Sequence, residues 1–275
     1  MADEDDNLSD LPLGQATAYV DEYQPNLLRR IGRAQARATL INAPALLGLD
    51  RWTAYELTWL NPRGRPECGV LELEIPCNSP SFVESKSLKR YLNSFSQSTF
   101  DSVRTVERVV GDDVGALCES QIQARLIAPS AYAARPLTHP PGRSLDSYDI
   151  AAQHYRVEPS LLEVESDTTI RETLFSDLLR MRCPVTGQPD LATVIVEYVG
   201  RAIAHVGLLR YLISYRQEAS FHEHAVERIF TDILSRCAPT ELRVQGMFCR
   251  RGGIAISPDR TTGGIDSTPM HIIRQ

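Results

Sequence analysis

The chain has 275 residues, 35 acidic against 29 basic side chains, a formal charge of −6 and 43% hydrophobic residues. That length allows one large domain or two ordinary ones, and the acidic balance argues against broad nucleic-acid binding, which needs a basic face. Apolar runs such as LLGL and ATVIVEYVG are too short to cross a bilayer, and the acidic start MADEDDNLSD is unlike a signal peptide, so a cytoplasmic protein is expected.

After the leader, NPRGRPECGVLELEI (61–75) reads as a Pro/Gly turn entering a β-rich strand. LKRYLNSFSQ and VERV (88–97, 106–109) read as two helices, followed by more strand. The stretch ARPLTHPPGRSLD (134–146) is rich in turn formers and reads as a junction. The pattern then repeats: CPVTGQPDLATVIVEY (183–198), LLRYLISYRQ (208–217) and VERI (226–229) follow the first set about 120 residues on. Ala225, Val226, Ile229, Phe230, Ile233 and Leu234 have the spacing of a one-faced helix, and Ser220 and Glu223 that of a capping box. LRVQGMFCRRGGIAISP reads as a closing hairpin broken at its glycines. The expected fold class is α+β: two tandem modules, 1–145 and 146–275, each an antiparallel sheet with helices on one face.

Six cysteines show no C-x-x-C pair and no zinc-type spacing with the six histidines, so free thiols and no metal site are expected. There is neither a G-x-G-x-x-G nor a P-loop.

Residues unique to one copy are candidates for function. Cys183 is matched by Asn61, Asp190 by Glu67, and His222–Glu223 by Phe100–Asp101, while ESKS (84–87) faces AHVG in the second copy. An isolated cysteine is commonly a small core residue. Cys183, however, follows two arginines and precedes a turn that can fold Asp190 back toward it, and positive charge favours the reactive thiolate. Both readings stand on spacing alone. His222 and Glu223 could be no more than a helix start, Lys86 a solvated helix face, and RRGG (250–253) a hairpin bend or an anion contact.

Taken together, VESKSLKRYLNSF (83–95), CPVTGQPD (183–190), FHEHAVERIF (221–230), WTAYELTWLNPRGRP (52–66), LGQATAYVDEYQPNLL (13–28) and RRGG give the chain a resemblance to the long, two-module form of the NADPH-dependent 7-cyano-7-deazaguanine reductases. The resemblance implies the tunnelling fold, a homodimer, NADPH as co-substrate and a free 7-deazapurine base, before it reaches tRNA, as substrate. It implies Cys183 as the nucleophile that forms a thioimide, with Asp190 as proton donor, protonated near neutral pH through burial beside the base. Val83, Glu84, Ser85, His222 and Glu223 would bind the base, and Ser85, Lys86, Arg251 and Gly252 would contact NADPH. Three alternatives remain: a cysteine-dependent nitrile hydrolase, a cyclohydrolase without the usual zinc site, and a non-catalytic purine- or pterin-binding module.

Overall fold

The computed structural model describes residues 19–40, 46–263, 265 and 270–275. The acidic leader and the start of the LGQATAYVDEYQPNLL stretch lie outside the described residues. The first half runs β1 (Arg30–Gly32), α1 (Arg33–Arg37), β2 (Leu47–Leu60), β3 (Pro66–Pro76), β4 (Ser81–Val83), α2 (Ser85–Asn93), α3 (Val103–Cys118), β5 (Gln123–Ile127) and α4 (Pro129–Ala133). The second half runs β6 (Arg143–Ser144), β7 (Val164–Arg182), β8 (Pro189–Ile203), α5 (His205–Ser214), α6 (His222–Cys237), β9 (Glu241–Phe248) and β10 (Ile254–Thr261). No helix among the described residues is long and apolar enough to cross a membrane.

Eight strands form one sheet in the order β5-β3-β2-β10-β9-β8-β7-β6, antiparallel except for the short β6–β7 pair. The halves join where β10 pairs with β2 from Ile254↔Ala54 to Thr261↔Leu47. β10 reads in sequence as the hairpin partner of β9, yet its ladder with β9 covers only Asp259–Thr261. The glycine bend splays the hairpin and sends β10 across to the other half.

Alternation places the core. Trp52 and Ala54 are buried on the helix side of β2; after a register shift between Ala54 and Leu57, Leu57 and Trp59 take over. A bulge of this kind inserts a residue and restores the apolar phase. Val106, Val110, Val114 and Cys118 form the buried face of α3, and Val226, Ile229, Phe230, Ile233 and Cys237 that of α6. Each such side chain contributes roughly 1.5–3 kcal/mol of burial. The α2–α3 pair covers one apolar cluster and the α5–α6 pair a second.

The shared R-Y-L-x-S pattern has a physical cause. Tyr91 donates its hydroxyl to Asp113 at 2.6 Å, and Tyr211 donates to Asp232 at 2.6 Å. Ser94 and Ser214 each donate to the tyrosine carbonyl three residues back. Both tyrosines are fully buried, so each hydroxyl needs its acceptor. Each tyrosine ties the first helix of its pair to the second.

Candidate active site

The residues singled out in sequence converge where the two helix pairs meet over the β2–β10 junction. A narrow cleft of about 30 Å³ is lined by Val83, Glu84, Ser85, Cys183, Asp190, His222, Glu223 and Arg251. Ile31, Trp52, Phe82 and Phe221 complete its apolar walls. Lys86 and Gly252 are not among its lining residues: Lys86 is exposed one residue beyond Ser85, and Gly252 follows Arg251 at the bend.

Cys183 sits at the end of β7, in a turn closed by its own N–H to the Gln188 carbonyl (2.9 Å) and by the Gly187 N–H to its carbonyl (2.9 Å). Gly187 has φ +69°, which glycine adopts without steric cost. The first copy closes the same turn from Asn61 to Arg65 with Gly64 at φ +73°. The scaffold is thus common to both copies, and the thiol belongs to one. Partial burial pushes the Cys183 thiol up. The Thr186 side chain, the backbone N–H groups of Thr186 and Val185, and Arg251 outweigh it and hold the thiol below its ordinary value of 9.0. Hydrogen bonds to the thiolate favour the nucleophilic form.

Asp190, two residues into the other arm of this hairpin, is 6% exposed. Its Oδ1 lies 3.0 Å from Arg251 Nη1 and its Oδ2 lies 3.3 Å from His222 Nε2. Asp190 is buried, and its contact with Arg251 was not foreseen in the sequence. Arg251 is delivered by the bend after β9, where Gly252 and Gly253 have φ +60° and +78°. A Cβ at residue 252 would fall 2.7 Å from Lys89 Nζ, and one at 253 would meet the Glu56 carboxylate at 2.7 Å. Both positions favour glycine for the backbone angle, while the Lys89 and Glu56 side-chain ends could swing aside.

His222 stacks on Phe248 with centroids 3.8 Å apart and planes 7° from parallel, and its Nδ1 makes no hydrogen bond. Glu84 caps α2: its oxygens accept from the Lys86 N–H (2.8 Å) and the Ser87 N–H (2.7 Å). Each carboxylate oxygen keeps a second lone pair for another donor. The capping box expected from Ser220 and Glu223 does not form. Phe221 is the N-cap residue of α6 without a side-chain cap, and Ser220 donates to the Phe221 carbonyl instead. Glu223 turns inward and is 2% exposed, with Asp50, Arg33 and Arg260 near it.

Sequence reasoning missed the residues behind Glu223. Asp50 accepts from Arg33 (2.6 Å) and pairs with Arg260 (2.8 Å), and Glu227 pairs with Arg260 (2.8 Å) and Arg37 (2.6 Å). Nothing in their spacing connects residues 33, 50, 227 and 260. It also missed the Thr186 hydroxyl on the thiol, although CPVTGQPD contained it.

Among known proteins, residues 19–126 match the family described as the N-terminal part of nitrile reductase, 7-cyano-7-deazaguanine-reductase, and residues 189–265 match the QueF-like protein family. Cys183 lies between the two matched stretches. The NADPH-dependent 7-cyano-7-deazaguanine reductases of Burkholderia multivorans and Burkholderia vietnamiensis are 48% and 49% identical over 253 residues, covering 91% of this chain and 92% of each relative. A solved archaeosine synthase QueF-Like in the apo form overlaps 37% of this chain and 100% of its own at 20% identity and TM-score 0.32. With near-half identity over 91% of its length and family matches in both halves, the chain belongs to the family of NADPH-dependent 7-cyano-7-deazaguanine reductases.

Proposed function

We propose that the protein reduces the nitrile of 7-cyano-7-deazaguanine to the primary amine, with two NADPH consumed per amine. The observation that carries this reading is the meeting of a thiol of lowered pKa with a buried acid in one cleft, beside the carboxylates and imidazole suited to a purine-like edge.

Cys183 attacks the nitrile carbon, forming an S–C bond, while the nitrile nitrogen takes a proton from Asp190. The product is a thioimide, whose C=N accepts hydride more readily than a nitrile does. The Asp190–His222 contact lets the pair hold and replace that proton. After the first reduction the S–C bond breaks and the thiolate departs, leaving an imine that the second reduction converts to the amine. Phe82, Phe221, Ile31 and Trp52 keep water from the imine, which would otherwise hydrolyse to an aldehyde.

Glu84, with the main chain of Val83 and Ser85, and His222–Glu223 hold the base. Ser85, Lys86, Arg251 and Gly252 suit an anionic dinucleotide: a hydroxyl, two cations and backbone free of a Cβ at a left-handed bend. NADPH bound there supplies the hydride. We read the chain further as two modules, 1–145 and 146–275, that assemble as a cytoplasmic homodimer of the tunnelling fold and act on the free base with no nucleic acid. Two clusters, each beneath its own helix pair, support the two-module reading.

The test is absorbance-monitored NADPH oxidation with added 7-cyano-7-deazaguanine and mass identification of the product. Two NADPH lost per amine formed, with none in Cys183→Ala, is the expected result. An amide or acid product formed without NADPH would replace this reading with nitrile hydrolysis.

A further inference from the structure

We propose that the buried cluster of Arg33, Asp50, Arg260 and Glu227 sets the charge state of Glu223, so that uptake of the base is coupled to release of a proton from that carboxyl. The inference rests on the base-binding reading of Glu223 and goes beyond it. Arg33, Asp50 and Arg260 act through Glu223 and are positioning residues.

The geometry is unusual for a ligand-binding acid. Glu223 is 2% exposed at the floor of the cleft, and its Oε1 has no hydrogen-bond partner. Behind it stand Asp50 from β2, Arg33 from α1 and Arg260 from β10, all nearly inaccessible to solvent. On its own helix it has His222 beside it and Glu227 one turn on, and the cleft adds Glu84, Asp190 and Arg251. Asp50 is spanned by Arg33 and Arg260, and Glu227 by Arg37 and Arg260. These arginines are therefore committed to other carboxylates. Arg33 Nη1 is buried and makes no hydrogen bond, standing 3.7 Å from Glu227.

Burial first, and then the neighbouring Asp50 carboxylate, push Glu223 up to about 8, against a hydrogen bond from its own backbone N–H and the pull of Arg33 and Arg260. At neutral pH the carboxyl thus holds its proton. An aminopyrimidinone edge presents two parallel N–H donors, which an ionised carboxylate accepts together. The protonated acid has one oxygen already serving as a donor and cannot accept both. The base consequently selects the ionised form, and the proton leaves for solvent as it binds. The fixed guanidinium groups keep the ionised form accessible in a site that would otherwise exclude it.

The experiment is calorimetric titration of Cys183→Ala with 7-cyano-7-deazaguanine, in buffers of different protonation enthalpy between pH 6 and 9. Without the thiol no adduct forms, so the proton count belongs to base binding alone. Close to one proton should be released per base at pH 7, falling through one half near pH 8, with affinity weakening about tenfold per pH unit below that point. Adding Asp50→Asn removes a negative neighbour and should move the half-release point to lower pH. Adding Arg33→Gln removes a positive one and should move it higher, which keeps the test alive if either variant does not fold. Binding without proton release, or a half-release point unmoved in the folded variants, overturns the coupling while leaving the base site intact. A base that binds at no pH removes the base-binding reading and the coupling with it.

Discussion

Arg251 reaches across the cleft to Asp190 at 3.0 Å, and the same guanidinium helps to hold the Cys183 thiol below its ordinary pKa. One residue of the β9–β10 bend therefore ties the nucleophile to its acid. Arg251→Gln should slow alkylation of Cys183 at pH 7 and adduct formation with the nitrile together. The expected loss in each is roughly fivefold, the weight of about 1 kcal/mol for a half-exposed charge-assisted contact. Stopped-flow adduct formation and iodoacetamide labelling on the same preparation check it. A loss in one without the other would mean that the guanidinium serves only one of them.

Thr186 allows a cleaner test of the thiol. Burial raises the Cys183 pKa, and the Thr186 hydroxyl is the largest of the contacts that lower it. A lowered pKa means that alkylation should approach its plateau at lower pH than for an ordinary cysteine. Thr186→Val keeps the shape and removes the hydroxyl, so the inflection of the alkylation profile should move upward. The rate at pH 7 should fall about fivefold for one lost hydrogen bond. An unmoved profile would leave the backbone N–H groups and Arg251 as the whole cause.

The nucleophile and the acid should separate in their effects. Cys183→Ala should remove the covalent adduct, seen as the absence of a mass shift, and all turnover, while base binding persists. Asp190→Asn should slow adduct formation by two orders of magnitude or so, the usual contribution of a placed general acid, and weaken base binding far less. Comparable losses in rate and binding would point to Asp190 as a contact to the base rather than a proton donor.

The sequence carried the parts of this site that are local. CPVTGQPD announces a turn because Pro184, Gly187 and Pro189 constrain the backbone there, and the turn forms with Gly187 left-handed. The repeated R-Y-L-x-S is legible because a buried tyrosine hydroxyl and its acceptor are needed twice. What failed is non-local. Ser220 and Glu223 have capping-box spacing, but Phe221 is the N-cap residue, and the Glu223 side chain is buried against its own backbone N–H, with Asp50, Arg33 and Arg260 behind it. Arg33 and Arg260 are 227 positions apart in the chain and meet only because β10 crosses to β2. Hydrophobic periodicity says nothing about which strand accepts an edge, so the cluster had no signature.

Two glutamates one helical turn apart should give the protein opposite pH dependences of stability. Glu227 is pulled from 4.5 to about 2: burial would raise it, but Arg37 and Arg260 prevail. Its stabilisation is present above pH 4.5 and is lost as pH falls toward 2, on the order of 3 kcal/mol. Glu223 is pushed from 4.5 to about 8, so its contribution is full below pH 4.5 and is lost as pH rises toward 8. That loss amounts to a few kcal/mol at most, because Arg33 and Arg260 compensate part of the buried charge. Urea unfolding followed from pH 3 to 9 should show a maximum between the two slopes. Glu223→Gln cannot ionise, so it should flatten the alkaline slope and leave the acid slope in place; Glu227→Gln should do the reverse and cost about 3–5 kcal/mol at pH 6 by stranding guanidinium charge. An alkaline slope that survives in Glu223→Gln would assign it to another group, and the charge cluster would then be holding Glu223 ionised throughout.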